Sequence, residues 1–114
     1  MIKIVMFVRR RRDISTEQFR EHYETVHAPL AQSLFRSLRA YRRSYPDKVL
    51  SGDEPSFDAI TELYFDDEAG FRETVAVMSS PAGKALQEDE EKFMDRPATT
   101  AMLMTEAQST FPAS

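Results

Sequence analysis

Both histidines of the chain fall within the nine residues HYETVHAPL, positions 22–30, and a proline follows the second of them by two. Histidine titrates nearest to neutrality, so this stretch is where a protein without a cofactor would keep an acid or a base. At the α-helical angle per residue, His22 and His27 stand about 140° apart, and they are not expected to converge on one metal as an i, i+4 pair would. His22 is expected at a solvent-facing or interfacial edge. His27 lies about 40° from Tyr23, at the margin of an apolar stripe. Two roles are open to it: a structural histidine bonded to the carbonyl that Pro29 leaves free or to a neighbouring strand, or a group lining a pocket.

Three carboxylates stand out by position. Glu62 sits in an apolar segment and shares an alternating face with Asp58, Ile60 and Tyr64. If that face meets a cavity or a dimer seam, Glu62 is either paired with an arginine or raised in pKa, as a general acid or base requires. Asp89 falls between Leu86 and Phe93 on the apolar side of its helix, where a charge is rare unless paired, and it either anchors a loop or serves the site. Asp66 reads as a helix cap. Tyr23, Tyr41, Tyr45 and Tyr64 supply phenols that finish a core or line a pocket for an aromatic ligand. Arg9 to Arg12 read as a solvated loop, with Arg42 and Arg43 able to reach the same end of a sheet and hold an anionic group.

These groups must be positioned by the elements around them. Ile2 to Val8 is apolar on both alternating faces and reads as a strand covered on both sides. Ser15 precedes Gln18 by three, a capping-box spacing, and Ile14 and Phe19 stand where a hydrophobic staple would sit. Phe19, Tyr23, Val26, Leu30 and Leu34 then form one stripe at helical spacing, with a kink or restart at Pro29. Leu38 to Tyr45 reads as a second strand, 44–55 as a loop and Phe57 to Phe65 as a third strand. Asp66 and Asp67 offer caps to a helix carrying Phe71, Val75 and Met78. Ser80 and Pro81 start another helix, to about Phe93, and Thr99 to Thr105 supplies a last strand. The order βαββαβ predicts an α+β, ferredoxin-like domain: a four-stranded antiparallel sheet with helices on one face. The other face also carries apolar residues, and a homodimer through the sheet faces would bury it.

Composition narrows the function classes. The 114 residues contain eight Phe and four Tyr, enough for the core of one domain. Nineteen acidic against fifteen basic residues give a net charge of −4, which disfavours nucleic acid and anionic lipid as partners. There is no cysteine, hence no disulfide or thiolate chemistry. MIKIVMFV has its positive charge after the apolar run, the reverse of a secretory signal, and no stretch approaches the roughly 20 apolar residues of a membrane span. A soluble, cytoplasmic protein is expected. With only Gly52, Gly70 and Gly83, no glycine-rich phosphate loop or flavin fingerprint can be built, and no metal-ligand cluster is apparent. Neither a cofactor nor a metal is therefore expected.

IKIVMFVRRRR, FREHYETVHAPL, ITELYFDD and SSPAGKALQEDEEKFMD, in that order, resemble the EthD family of small dimeric α+β-barrel proteins. The likeness covers residues 1–107, leaving 108–114 as a flexible tail. It implies a ferredoxin-like protomer that pairs sheet to sheet to form a dimeric α+β barrel, without bound metal or flavin, near the breakdown or tailoring of small organic compounds. It also implies His27, before Ala-Pro-Leu, as the acid or base, and Asp89 as its support. Two departures are evident: Tyr64 stands where relatives often have tryptophan, and YRRSY lacks a histidine that some active barrel relatives place there. The expected function is a cofactor-independent isomerase, cyclase or lyase for a small apolar oxygenated or aromatic compound. In it His27 moves the proton, Tyr23, Tyr41 and Tyr64 contact the ligand, and Glu62 or Asp89 sets the histidine tautomer or acts as a second base. The alternative is a non-catalytic dimeric ligand-binding or accessory protein of a degradation operon.

Overall fold

The computed structural model describes residues 1–113. The chain runs through β1 (Ile2–Val8), α1 (Thr16–His22), a π-helical turn (Tyr23–His27), α2 (Ala28–Leu34), β2 (Leu38–Ser44), β3 (Ala59–Phe65), α3 (Glu68–Met78), α4 (Pro81–Phe93), a 3₁₀ turn (Arg96–Ala98) and β4 (Thr100–Met104). The strands form one antiparallel sheet in the order β2-β3-β1-β4. With the helices on one face, this is the expected ferredoxin-like arrangement. Residues 105–113 carry no regular structure. Within that stretch Glu106 accepts from Lys3 Nζ at 2.7 Å. Ser114, the last residue of the expected tail, lies outside the described residues. Among the described residues no helix is long and apolar enough to cross a membrane.

Local signals place the helices as the sequence requires. The capping box forms in full: the Gln18 amide donates to Ser15 Oγ at 3.0 Å, and the Ser15 amide donates to Gln18 Oε1 at 2.8 Å. Asp67, and not Asp66, caps α3, accepting from the Gly70 amide at 2.9 Å. Asp66 instead faces Arg39 at 3.6 Å. Ser80 precedes Pro81 as expected, but its hydroxyl donates back to the Val77 carbonyl at 2.6 Å rather than capping α4.

The apolar stripe of the first helical rod departs from α-helical spacing. Phe19, Tyr23, Ala28 and Ala31 are buried, whereas Val26 is 44% exposed. Within the π turn the amide of Ala28 donates to the carbonyl of Tyr23, five residues back, so the rod is wound more loosely here. Pro29 follows at once, without an N–H to hold the tighter turn. The extra residue rotates Val26 outward and His27 inward. Glu24 in this turn is tied to the end of the sheet: Arg43 donates to both its carboxylate oxygens at 2.9 and 2.8 Å, and Tyr45 donates at 2.5 Å.

Two core clusters lie between sheet and helices. One is built on Val8, Phe19, Tyr23 and Phe93, the other on Phe35, Leu63, Phe65 and Leu86, and Met6 and Tyr41 touch both. The outer face of the sheet mixes Val5, Phe7, Ile60, Met102 and Met104 with a polar group in which Lys3 Nζ stands 3.2 Å from Glu62 Oε2, and Lys3 and Arg42 flank the Tyr64 ring. Close packing also fixes the junction of α3 and α4, where a Cβ at Gly83 would overlap the Met78 backbone. Gly83→Ala is expected to cost about 1–3 kcal/mol, the usual range for an overpacked site, read as a lower urea midpoint at unchanged slope.

Candidate functional site

The π turn has a chemical consequence that α-helical geometry does not foresee. His22 and His27 are brought to the same side of the rod, and both meet Asp89 of α4: His22 Nε2 lies 3.0 Å from Oδ1 and His27 Nδ1 lies 2.9 Å from Oδ2. The expectation that the two imidazoles point apart is thus corrected, because five residues span about one turn of a π-helix but well over one of an α-helix. His27 bonds Asp89 rather than a free carbonyl. Since a carboxylate only accepts, His27 carries its proton on Nδ1 and His22 on Nε2.

The cluster is largely withdrawn from water. His27 is 3% exposed and Asp89 5%, while a quarter of the His22 side chain reaches solvent. The fully buried Phe93 ring lies 4.9 Å, centroid to centroid, from each imidazole. Burial pushes the His27 pKa down, partly offset by the Asp89 bond, so the ring is held neutral with an unprotonated Nε2. That atom faces Glu90, whose Oε2 is 4.0 Å away.

His27 and Glu90 open onto a cavity of about 240 Å³ between the helices and the inner sheet face. Its polar lining is Tyr23, His27, Tyr41, Thr61, Thr74 and Glu90; its apolar walls include Met6, Leu63, Phe65, Phe71 and Leu86. Val75 and Ala101, both exposed, mark the mouth. The Tyr23 hydroxyl lies 2.5 Å from Thr61 Oγ1, and burial raises the pKa of both Tyr23 and Tyr41, keeping them as phenols able to donate. A wider groove of about 630 Å³ lies on the surface by Arg11, Arg12, Glu91 and Arg96, where charges pair with one another, as Arg96 does with Glu91 at 3.6 Å.

Of the residues singled out in the sequence, His27, Asp89, Tyr23 and Tyr41 are therefore brought together. Glu62 and Tyr64 are not: they project from the opposite face, where the Tyr64 hydroxyl donates to Glu62 Oε2 at 3.0 Å beside Lys3. Glu62 has its partner in Lys3 of β1, although Arg42 of β2 is in register with it. The sequence reading passed over Glu90 and Thr61. Glu90 was legible, because it falls about 40° from Leu86 and 60° from Phe93 on the buried side of α4. Thr61 was marked only by alternation with Leu63 and Phe65.

A histidine held neutral by burial leaves a signature in stability. The folded-state pKa lies below the ordinary value, so the unfolded chain takes up the proton first as pH falls through about 6.5, and folding stability is lost on acidification. Glu90, raised above its ordinary value mainly by burial, contributes the opposite sign, losing stability as pH rises from about 4.5. The His27 part is isolated by comparison with His27→Gln. Between pH 7 and 5 the wild type is expected to lose up to about 1.4 kcal/mol per pH unit more than the variant, measured by urea unfolding at each pH.

A family model described as the EthD domain matches residues 11–97. A protein of Rhodococcus erythropolis, described as an uncharacterized 11.0 kDa protein in the thcB-thcC intergenic region, is 32% identical over 94 residues, covering 82% of this chain and 84% of its own. Among solved structures, an ethyl tert-butyl ether D (EthD) family protein from Bacillus halodurans superposes with a TM-score of 0.69 at 26% identity, over 94% of this chain and 100% of the other. SnoaB, a cofactor-independent oxygenase from Streptomyces nogalater, shares the fold at 14% identity with a TM-score of 0.60, over 98% and 97%. Two further structures of this fold are described as dimeric.

Proposed function

The chain belongs to the EthD family, and from that premise we propose that it is a cofactor-independent enzyme acting on a small, largely apolar oxygenated or aromatic compound by proton transfer next to a carbonyl, as an isomerase, cyclase or lyase. The observation that carries this reading is the buried His27, fixed at Nδ1 by Asp89, with the free Nε2 turned into the cavity. Asp89 sets the tautomer and stabilises the imidazolium that forms when Nε2 takes a proton. Tyr23 and Tyr41 donate hydrogen bonds to ligand oxygens, and the apolar walls exclude water, which strengthens those bonds. That SnoaB is a cofactor-independent oxygenase supports the view that this scaffold accommodates cofactor-free chemistry. The reading places the protein in the catabolism or tailoring of small organic compounds.

The proposed working form is a homodimer through the outer sheet faces, in which Val5, Phe7, Ile60, Met102 and Met104 are covered by the same patch of a second copy. Light scattering at micromolar concentration is expected to give twice the mass of one chain, and a stable single chain there removes the barrel. The function itself is tested by turnover of lactones and polyketide-type ketones by the purified protein. A protein that turns over none of them, while a neutral ligand still binds in the cavity, favours a binding role instead.

A further inference from the structure

We infer that Glu90 is the partner acid of His27, and that the pair selects uncharged carbonyl compounds: its carboxyl protonates the carbonyl oxygen while His27 Nε2 removes a proton from the adjacent carbon. This rests on the assignment of His27 as the base and extends it to the other half of the reaction. Glu90 Oε2 and His27 Nε2 are 4.0 Å apart, too far for a direct hydrogen bond and close enough for one small group to touch both. The carbon and the oxygen to be handled are separated by a single intervening atom, the carbonyl carbon.

An ion pair with the half-exposed Arg96 accounts for only one of the two Glu90 oxygens. Glu90 is 8% exposed, on the apolar side of α4, and lines the cavity. Its outer oxygen faces Arg96 Nε at 3.5 Å, while Arg96 also reaches Glu91 at 3.6 Å and is 42% exposed at its side chain. Among the described residues, the inner oxygen accepts no hydrogen bond. A carboxylate so placed costs stability, and the cost is relieved if the group holds its proton. Burial, with Asp89 and Glu91 adding to it and Arg96 opposing it, raises the Glu90 pKa. With its proton held, Glu90 places a neutral carboxyl beside the neutral imidazole, the pairing of acid and base that carbonyl enolisation needs.

The step balances without a co-reactant. The C–H electron pair moves into a new C=C bond as its proton goes to His27 Nε2, the C=O π pair moves to oxygen, and that oxygen takes the Glu90 proton. The products are an enol, an imidazolium between Asp89 and Glu90, and a Glu90 carboxylate. Return of the enol proton to Glu90, as the His27 Nε2 proton passes to the same carbon or to one conjugated with it, restores the enzyme and gives exchange or isomerisation. Among the described residues, no Lys or Arg lines the cavity, so a ligand carrying a carboxylate would meet no compensating charge. At about 240 Å³ the cavity is smaller than drug-sized sites of about 300 Å³ and above, which fits a one-ring or fused two-ring compound.

The test uses the full chain with 1-tetralone, an uncharged bicyclic ketone whose α-protons exchange with D₂O and are counted by NMR. The wild type is expected to accelerate exchange, Glu90→Gln to slow the accelerated rate at least about 100-fold with tetralone still bound, and Glu90→Asp to restore part of it. An infrared band of a neutral carboxyl is expected at neutral pH in the wild type and absent from Glu90→Gln. Wild-type exchange in Glu90→Gln overturns the inference while His27 stands. Wild-type exchange in His27→Gln overturns the reading beneath it. Tetralone bound without exchange by the wild type overturns both, and failure to bind tetralone overturns the ligand class. If Glu90→Gln does not fold, lack of the neutral-carboxyl band in the wild type still overturns the proposal.

Discussion

Replacing Asp89 by alanine is expected to destabilise the protein by about 2–4 kcal/mol. The substitution removes the acceptor of two imidazole N–H groups at once. The His22 donor sits at the surface and can turn to water, so its loss is small. The His27 donor is 3% exposed and packed against Phe93 and Tyr23, and a buried donor left without a partner costs about 1–3 kcal/mol. The small void left between α4 and the π turn adds to this. Asp89→Asn should cost less, because one amide oxygen can still accept from one histidine while the amide N–H₂ opposes the other. Urea unfolding of the three proteins measures the order. If Asp89→Ala lies within about 0.5 kcal/mol of the wild type, Asp89 is not what holds the histidines.

The second large effect is on rate. Glutamine in place of His27 keeps an amide N–H that can reach Asp89 but offers no basic nitrogen to the cavity. Turnover of a carbonyl substrate is expected to fall about 10²- to 10⁴-fold, the usual contribution of a positioned acid or base, or about 3–5 kcal/mol in activation free energy. The loss should fall on kcat, since the ligand's apolar contacts with Leu63, Phe65 and Phe71 are unchanged. His22→Gln, acting only through Asp89, should lose far less. If kcat is unchanged in a folded His27→Gln, His27 leaves the mechanism. The same variant removes the acid-side loss of stability, so rate and pH dependence are tied to one imidazole.

Much of the architecture is local in origin and was legible. The Ser15–Gln18 box, the alternation of Ile2 to Val8, the Ser80-Pro81 start and the βαββαβ order are set by residues a few positions apart, so chain chemistry suffices to place them. The sequence also marked His27 and Asp89 as anomalies: a titrating group at a helix break and a charge on an apolar stripe. It did not reveal that they meet. The α-helical angle per residue sent His22 and His27 apart, and the π turn before Pro29 turns them onto one carboxylate, while carrying Val26 outward.

The amino-acid order by itself thus determined which elements form and which polar residues sit among apolar ones. The tertiary structure alone decided their partners. Glu62 and Asp89 look alike as carboxylates in apolar segments, yet β3 pairing turns Glu62 to the outer face beside Lys3, and α4 packing sets Asp89 against the histidines and Glu90 into the cavity. The physical reason is range: helix caps and strand alternation depend on neighbours in the chain. Burial of a charge, and the proton it then keeps or yields, depends also on elements brought in from distant parts of the chain, as α4 is to the π turn and β3 to β1.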